Sequence, residues 1–201
     1  QRLAWKEAMI ADIEARIAAD PVPLPGTPDP ETDNYLPVSV TGTFRPDFLK
    51  VLVSQKQVGA GYRIITPLVL EDRTILVDRG FVPVAEAPEP GGAAIQVLQT
   101  IVGNLQWPQE TDGFTPEPDM TENIWFARDV PAMAAALGTD PVLVVQRERT
   151  ELGSPISPLP VDTSAIPNDH LQYAITWFSL AAVWSAMTFF FLRRKPAASK
   201  N

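Results

Sequence analysis

Residues 62–82 read YRIITPLVLEDRTILVDRGFV: two runs rich in Ile, Val, Leu and Thr on either side of the acidic pair Glu71-Asp72. β-Branched runs of this length, bounded by turn residues, form strands, and two so close in sequence form a hairpin. Upstream, LPVSVTGTF (36–44) and DFLKVLVSQ (47–55) repeat the pattern around Arg45-Pro46. Downstream come AIQVLQTIVGNL (94–105), NIWFARD (123–129) and PVLVVQRER (141–149). Short runs recurring about every ten residues predict a β-rich domain over 35–167, mainly antiparallel and curling towards a barrel. Only DVPAMAAALG (129–138) reads as an internal helix, with Asp129 at its N-cap, Pro131 in its first turn and Gly138 closing it.

The flanks of this domain read differently. Residues 1–20 predict an amphipathic helix, with Leu3, Ile10, Ile13 and Ile17 on one face, ended by Asp20-Pro21. Residues 21–34 form a Pro-rich spacer, with five prolines in PVPLPGTPDP. Past the domain, segment 168–192 is a transmembrane helix by composition. Its core, LQYAITWFSLAAVWSAMTFFFL (171–192), holds 22 residues without charge, Pro or Gly. As a helix it measures roughly 33 Å, against about 30 Å of bilayer hydrocarbon. Nine of its residues are Leu, Ile, Val or Phe, together worth roughly −3 to −5 kcal/mol on insertion.

Arg193, Arg194 and Lys195 follow at once, in a basic tail over 193–201. The positive-inside rule puts that tail in the cytoplasm and residues 1–170 on the far side. Export of the body requires a signal, so an upstream segment, a further spanning helix, is expected before Gln1. The first 170 residues carry 24 acidic and 12 basic side chains, a net charge of −12. An acidic body argues against nucleic-acid binding. The chain has no Cys and one His, which removes zinc-thiolate, iron–sulfur and multi-histidine sites and leaves His170 as the single imidazole.

Beyond these physical readings, several stretches resemble the surfeit-locus family of cytochrome c oxidase assembly factors (Surf-one, Shy-one). YRIITPLVLEDRTILVDRGFVP (62–83) is similar to that family's strand-and-hairpin signature, with Asp78 and Phe81 where asparagine and tryptophan are frequent. NDHLQYAITWFSLAAV (168–183) resembles the signature that opens its last spanning helix. RLAWKEAMI (2–10) and IWFARDVPAMAAALG (124–138) also fit, in the family's order. The resemblance implies a membrane-anchored protein with a large exported domain between two spanning helices; the bacterial inner membrane, with the main domain periplasmic, is expected because the sequence shows no mitochondrial feature. The resemblance further implies a role in oxidase biogenesis: binding haem a, delivering it to subunit I, or stabilising its insertion. Subunit I, haem a synthase and the lipid bilayer are the implied partners.

His170 matches the family's proposed haem ligand. The physical case is separate: it sits at the outer mouth of the apolar helix, where the helix dipole favours the neutral imidazole that iron requires, while Asp169 opposes this. Tyr173 and Trp177 follow at spacings of three and four, on the same helix face, where they would wall a porphyrin. The same residues also serve simply as interfacial anchors. Arg79 either pairs with a propionate or an acidic partner, or fixes its own turn through Asp78 or backbone carbonyls; the second reading is favoured. With no Cys and four scattered Met, copper delivery is not expected, nor is zinc. No G-x-S-x-G elbow is present, and the chain is read as no enzyme. The alternatives are a haem-free scaffold holding subunit I and a stable accessory subunit of the oxidase.

Overall fold

The computed structural model describes residues 2–55, 59–88, 97–150, 153–161 and 170–193. The described elements are three α-helices, α1 (Arg2–Ala18), α2 (Val130–Leu137) and α3 (His170–Arg193), and eight strands. The strands are β1 (Val22–Pro23), β2 (Pro37–Phe44), β3 (Leu49–Gln55), β4 (Gly59–Val69), β5 (Thr74–Pro83), β6 (Gln99–Leu105), β7 (Ile124–Trp125) and β8 (Leu143–Gln146). The chain divides into two units, residues 1–163 and 164–201, with all the strands in the first.

Strands pair in the order β2-β6-β8-β5-β4, and β4 returns to β2 through Thr43–Val69 and Phe44–Leu68. The result is a closed five-stranded barrel. Strand β4 is long enough to pair with β5 along one edge and with β3, then β2, along the other. The expectation of a mainly antiparallel, barrel-like domain holds, with three parallel contacts added: β1–β2, β3–β7 and β5–β8.

Alternation along the strands makes two cores. Val38, Val40, Phe44, Leu68, Ile75, Val77, Ile101, Leu105 and Val144 come from all five barrel strands and fill the interior. Residues of the opposite parity, including Ile65, Leu76, Leu143 and Val145, pack on the outer face against Val130, Met133 and Leu137 of α2. Both faces of β5 and β8 are therefore covered, which is why ILV (75–77) and LVV (143–145) are unbroken apolar runs.

Three features depart from the sequence reading. The Pro-rich spacer is extended, but Val22 and Pro23 join the sheet edge beside Val38 and Ser39, and Leu24 packs on the interior cluster. An edge position tolerates the missing proline N–H. The region 123–129 yields only two strand residues, because Asp119 and Ile124 bridge each other and Arg128 turns into α2. Third, VDRG (77–80) lies inside β5, as the run 74–82 predicts, but carries a bulge. Arg63 pairs with Phe81 and Ile65 with Asp78, so Arg79 and Gly80 together face Ile64. Gly80 has φ +114°, and a Cβ there would meet the Ser157 carbonyl oxygen at 2.1 Å; only glycine admits that strap.

Helix α2 is capped at both ends by its sequence. Asp129 accepts the Ala132 N–H at 3.1 Å, a proline stands in the first turn, and Gly138 adopts the left-handed conformation. Helix α1 is fastened at its C-terminal end, where Asn104 and Arg147 both donate to the Ile17 carbonyl. Asn104 in turn accepts from Arg147 Nε at 2.7 Å.

Candidate functional site

Among the described residues, α3 carries the sequence-derived site. His170 is its first residue, with Tyr173 and Trp177 three and seven positions on, so the three share one side of the helix by spacing. The backbone is described from His170 and side chains from Ile175; the capping residues Asn168 and Asp169 lie outside the described residues. From Ile175 to Arg193 the helix is long and apolar enough to cross a membrane, and none of this stretch is buried in the protein. Trp177 and Trp184 are both largely exposed. Ser185 returns its hydroxyl to the Ala181 carbonyl at 2.7 Å, so its polar group is satisfied within the helix. At the basic end, the Arg193 guanidinium lies 4.5 Å from the Phe189 ring centre.

Arg79 belongs to the other unit. Its guanidinium stacks 4.8 Å over the Phe44 ring and shares a small polar hollow with Gln146, Arg149 and Thr150. Of the two partners the sequence offers Arg79, Asp78 or backbone carbonyls, Asp78 is committed elsewhere, because strand alternation sends it to the outer face. There it is fully buried. Its oxygens accept from the Gly80 N–H at 3.0 Å, from Arg63 at 2.5 Å and from Arg128 at 3.4 Å.

Arg128 links this buried carboxylate to the long segment before α2. Its guanidinium grips Glu110 at 2.5 Å and Gln106 at 2.9 Å, and its backbone N–H also donates to Glu110 at 2.9 Å. Burial disfavours the Arg128 cation, but Glu110 and Asp78 outweigh it and hold the group above its ordinary range. Burial likewise raises the Glu110 carboxyl, yet the bonds and charge of Arg128 prevail and the carboxyl lies below its ordinary value. Two arginines and two carboxylates thus balance, and Arg63 also reaches the Leu159 carbonyl at 3.4 Å. Removing Asp78 or Arg128, the buried members of this set, strands the others at a cost of about 3–5 kcal/mol, while Glu110, 38% exposed, contributes less.

The sequence reading singled out neither Arg63, Glu110 nor Arg128. They are far apart in sequence, and only the strand register and the entry to α2 bring them together. The sole signal was an aspartate in an otherwise apolar strand, which demands a buried cation. Among the described residues no group of three or more His, Asp or Glu side chains is gathered to hold a metal ion.

Comparison with known proteins bears on both units. The family model described as "SURF1 family" matches residues 1–182, a span that includes the barrel and the first half of α3. "Surfeit locus protein 1" of Rattus norvegicus is 33% identical over 98% of this chain and 71% of its own length. The protein of the same name in Homo sapiens is 33% identical, covering 98% and 72%. A "SURF1-like protein" of Monosiga brevicollis is 38% identical over 96% of this chain and 80% of its own length. A barrel of this order, the buried Asp78 set and the His170-led apolar helix therefore stand in a chain that belongs to the SURF1 family.

Proposed function

We propose that this chain is a membrane-anchored assembly factor for haem–copper cytochrome c oxidase, which binds haem a and delivers it to subunit I or stabilises its insertion. The observation that carries the reading is the family match running unbroken from the barrel into α3, so that His170 lies within the matched span. Helix α3 is the anchor, its C-terminal Arg193-Arg194-Lys195 cytoplasmic and the barrel periplasmic in the bacterial inner membrane. An apolar helix exposed on every side has no stable place in water, and a bilayer covers it.

Haem a is treated as cargo. A neutral imidazole supplies one axial bond to iron, and His170 is the only imidazole in the chain. The second axial ligand therefore comes from Tyr, Met, water, another protomer or subunit I. A site at the helix mouth keeps the propionates at the aqueous face, while the isoprenoid tail follows the apolar helix into the bilayer. Trp177 presents an exposed indole on the His170 side of α3, suited to the porphyrin face. Arg79, in its polar hollow on the barrel unit, is in this reading a group for an acidic partner. No copper or zinc and no catalytic step enter this reading; haem a synthase is the supplier.

The test is complementation. In cells lacking this protein, the wild-type chain restores the haem a content of the oxidase and His170→Ala leaves it at the deletion level. Restoration by His170→Ala at normal membrane abundance would favour the haem-free scaffold or accessory subunit instead.

A further inference from the structure

Residues 111–120, with Trp125, Phe126, Ala127 and α2, line a cleft of about 490 Å³, within the range of about 300–1,000 Å³ typical of ligand pockets. Pro116, Pro118 and Met120 line it from this segment, together with Trp125, Phe126 and Ala132. Large apolar groups are left in water here: Met120 is 68% exposed, and Phe114, at the tip of the same segment, is 95% exposed. Trp125 is nine-tenths buried, and its indole N–H has no acceptor among the described residues. The charged residues at this cleft are all acidic: Asp112, Glu117 and Asp129, with no Lys, Arg or His among its lining residues.

The cleft is built rather than collapsed. Its base is held by the double grip of Arg128 on Glu110. Asp112 closes a turn by accepting the Phe114 N–H and the Thr115 hydroxyl at 2.9 and 3.0 Å. Asp119 and Ile124 exchange two backbone hydrogen bonds, and Asn123 donates to the Phe48 carbonyl at 2.8 Å. Prolines at 108, 116 and 118 remove further backbone freedom. A segment of this length so fastened, yet leaving apolar side chains in water, has the character of a preorganised recognition surface.

We propose that this cleft docks a basic peptide segment of a partner protein. Apolar side chains of that segment fill the space between Met120 and Phe126, and its Lys or Arg residues meet Asp112, Glu117 and Asp129. Charge complementarity selects this occupant. Fatty acids and anionic headgroups are repelled by the rim, and a second copy of this chain would bring a body of net charge −12 to an acidic surface. The proposal concerns 106–136 alone and stands whether or not His170 binds haem.

The four methionines make the test local, because Met9 lies in α1, Met120 in the cleft, Met133 in the core under α2 and Met187 in α3. The full chain, labelled with ¹³C at the Met methyls and held in phosphatidylcholine nanodiscs, is titrated with a peptide alternating Lys with Leu and Phe. A matched peptide with Glu in place of Lys is the comparison. The Lys peptide is expected to move the Met120 resonance saturably while Met9 and Met187 stay fixed. Its affinity should fall roughly tenfold between about 0.05 and 0.5 M salt, and by a similar factor in Glu117→Lys. An unmoved Met133 resonance in that variant shows an intact core; if Met133 moves, Thr111→Lys on the same exposed rim repeats the measurement. Equal response to the Glu peptide, response at Met9 or Met187 with Met120 silent, or no response at all would overturn the proposal.

Discussion

Asp78 shows how far a single residue can be read without its neighbours. Its position in TILVDRGFV announces a buried carboxylate needing a cation, and the adjacent Arg79 is the obvious candidate. Strand parity decides otherwise: Asp78 faces α2, and Arg63 and Arg128 reach it from β4 and from the turn before the helix. Neither partner is local, so no spacing rule could have found them. The same set makes a pH prediction through Glu110. Its folded carboxyl lies below the ordinary value of 4.5, so the stability it contributes is complete above about pH 4.5. That contribution is lost as pH falls through the lower folded value. The Glu110 side chain is 38% exposed, so solvent screening keeps the effect modest. Urea midpoints of wild type and Glu110→Gln should differ by a constant amount from about pH 7 to 5 and converge below about 4.5. A difference that widens on acidification would contradict this.

Elements were legible where a local rule governs them. Helix α2 has its N-cap, proline and C-terminal glycine in the sequence itself, and the four strands from β2 to β5 are β-branched runs separated by turn residues. Elements built by distant pairing were not. Strand β1 is two residues of a proline-rich spacer that count as strand only because β2 lies beside them. Strand β7 exists through its contact with β3, and the bulge at Arg79-Gly80 follows from the strap at Ser157. Helix α3 was legible from its composition alone, and its apolar length makes a prediction. An arginine at the helix centre costs about 2.5–3.5 kcal/mol on insertion, close to the whole favourable total of roughly 3–5 kcal/mol. Ala182→Arg should therefore release a large share of the chain from membranes under alkaline carbonate extraction, while Ala182→Leu stays bound. Release of the wild-type chain under the same treatment would sink the anchor.

At the scale of the molecule, closing β4 onto β2 removes the open edges of the five barrel strands. Of the strands appended to it, β1 and β7 are two residues each, whereas β3 is seven residues long and pairs with β7 only at Lys50 and Val51. A scaffold acting by strand addition would therefore use the outer edge of β3 beyond Val51. The curl of the sheet was legible from the spacing of its strands; its order was not, because β8 inserts between β5 and β6 with a parallel contact to the first. The unit holding His170 is separate from the barrel unit in the chain. That division of labour, a rigid barrel for partners and a helix mouth for haem, is the central claim.

The most direct measurement is a reduced-minus-oxidised visible spectrum of the protein purified from membranes making haem a, with His170→Ala prepared in parallel. The account predicts a stoichiometric haem a band in the wild type and its loss in the variant, at equal protein recovery. A band of equal size in both would remove His170 as the ligand, and no band in either, with subunit I still copurifying, would contradict the carrier function itself.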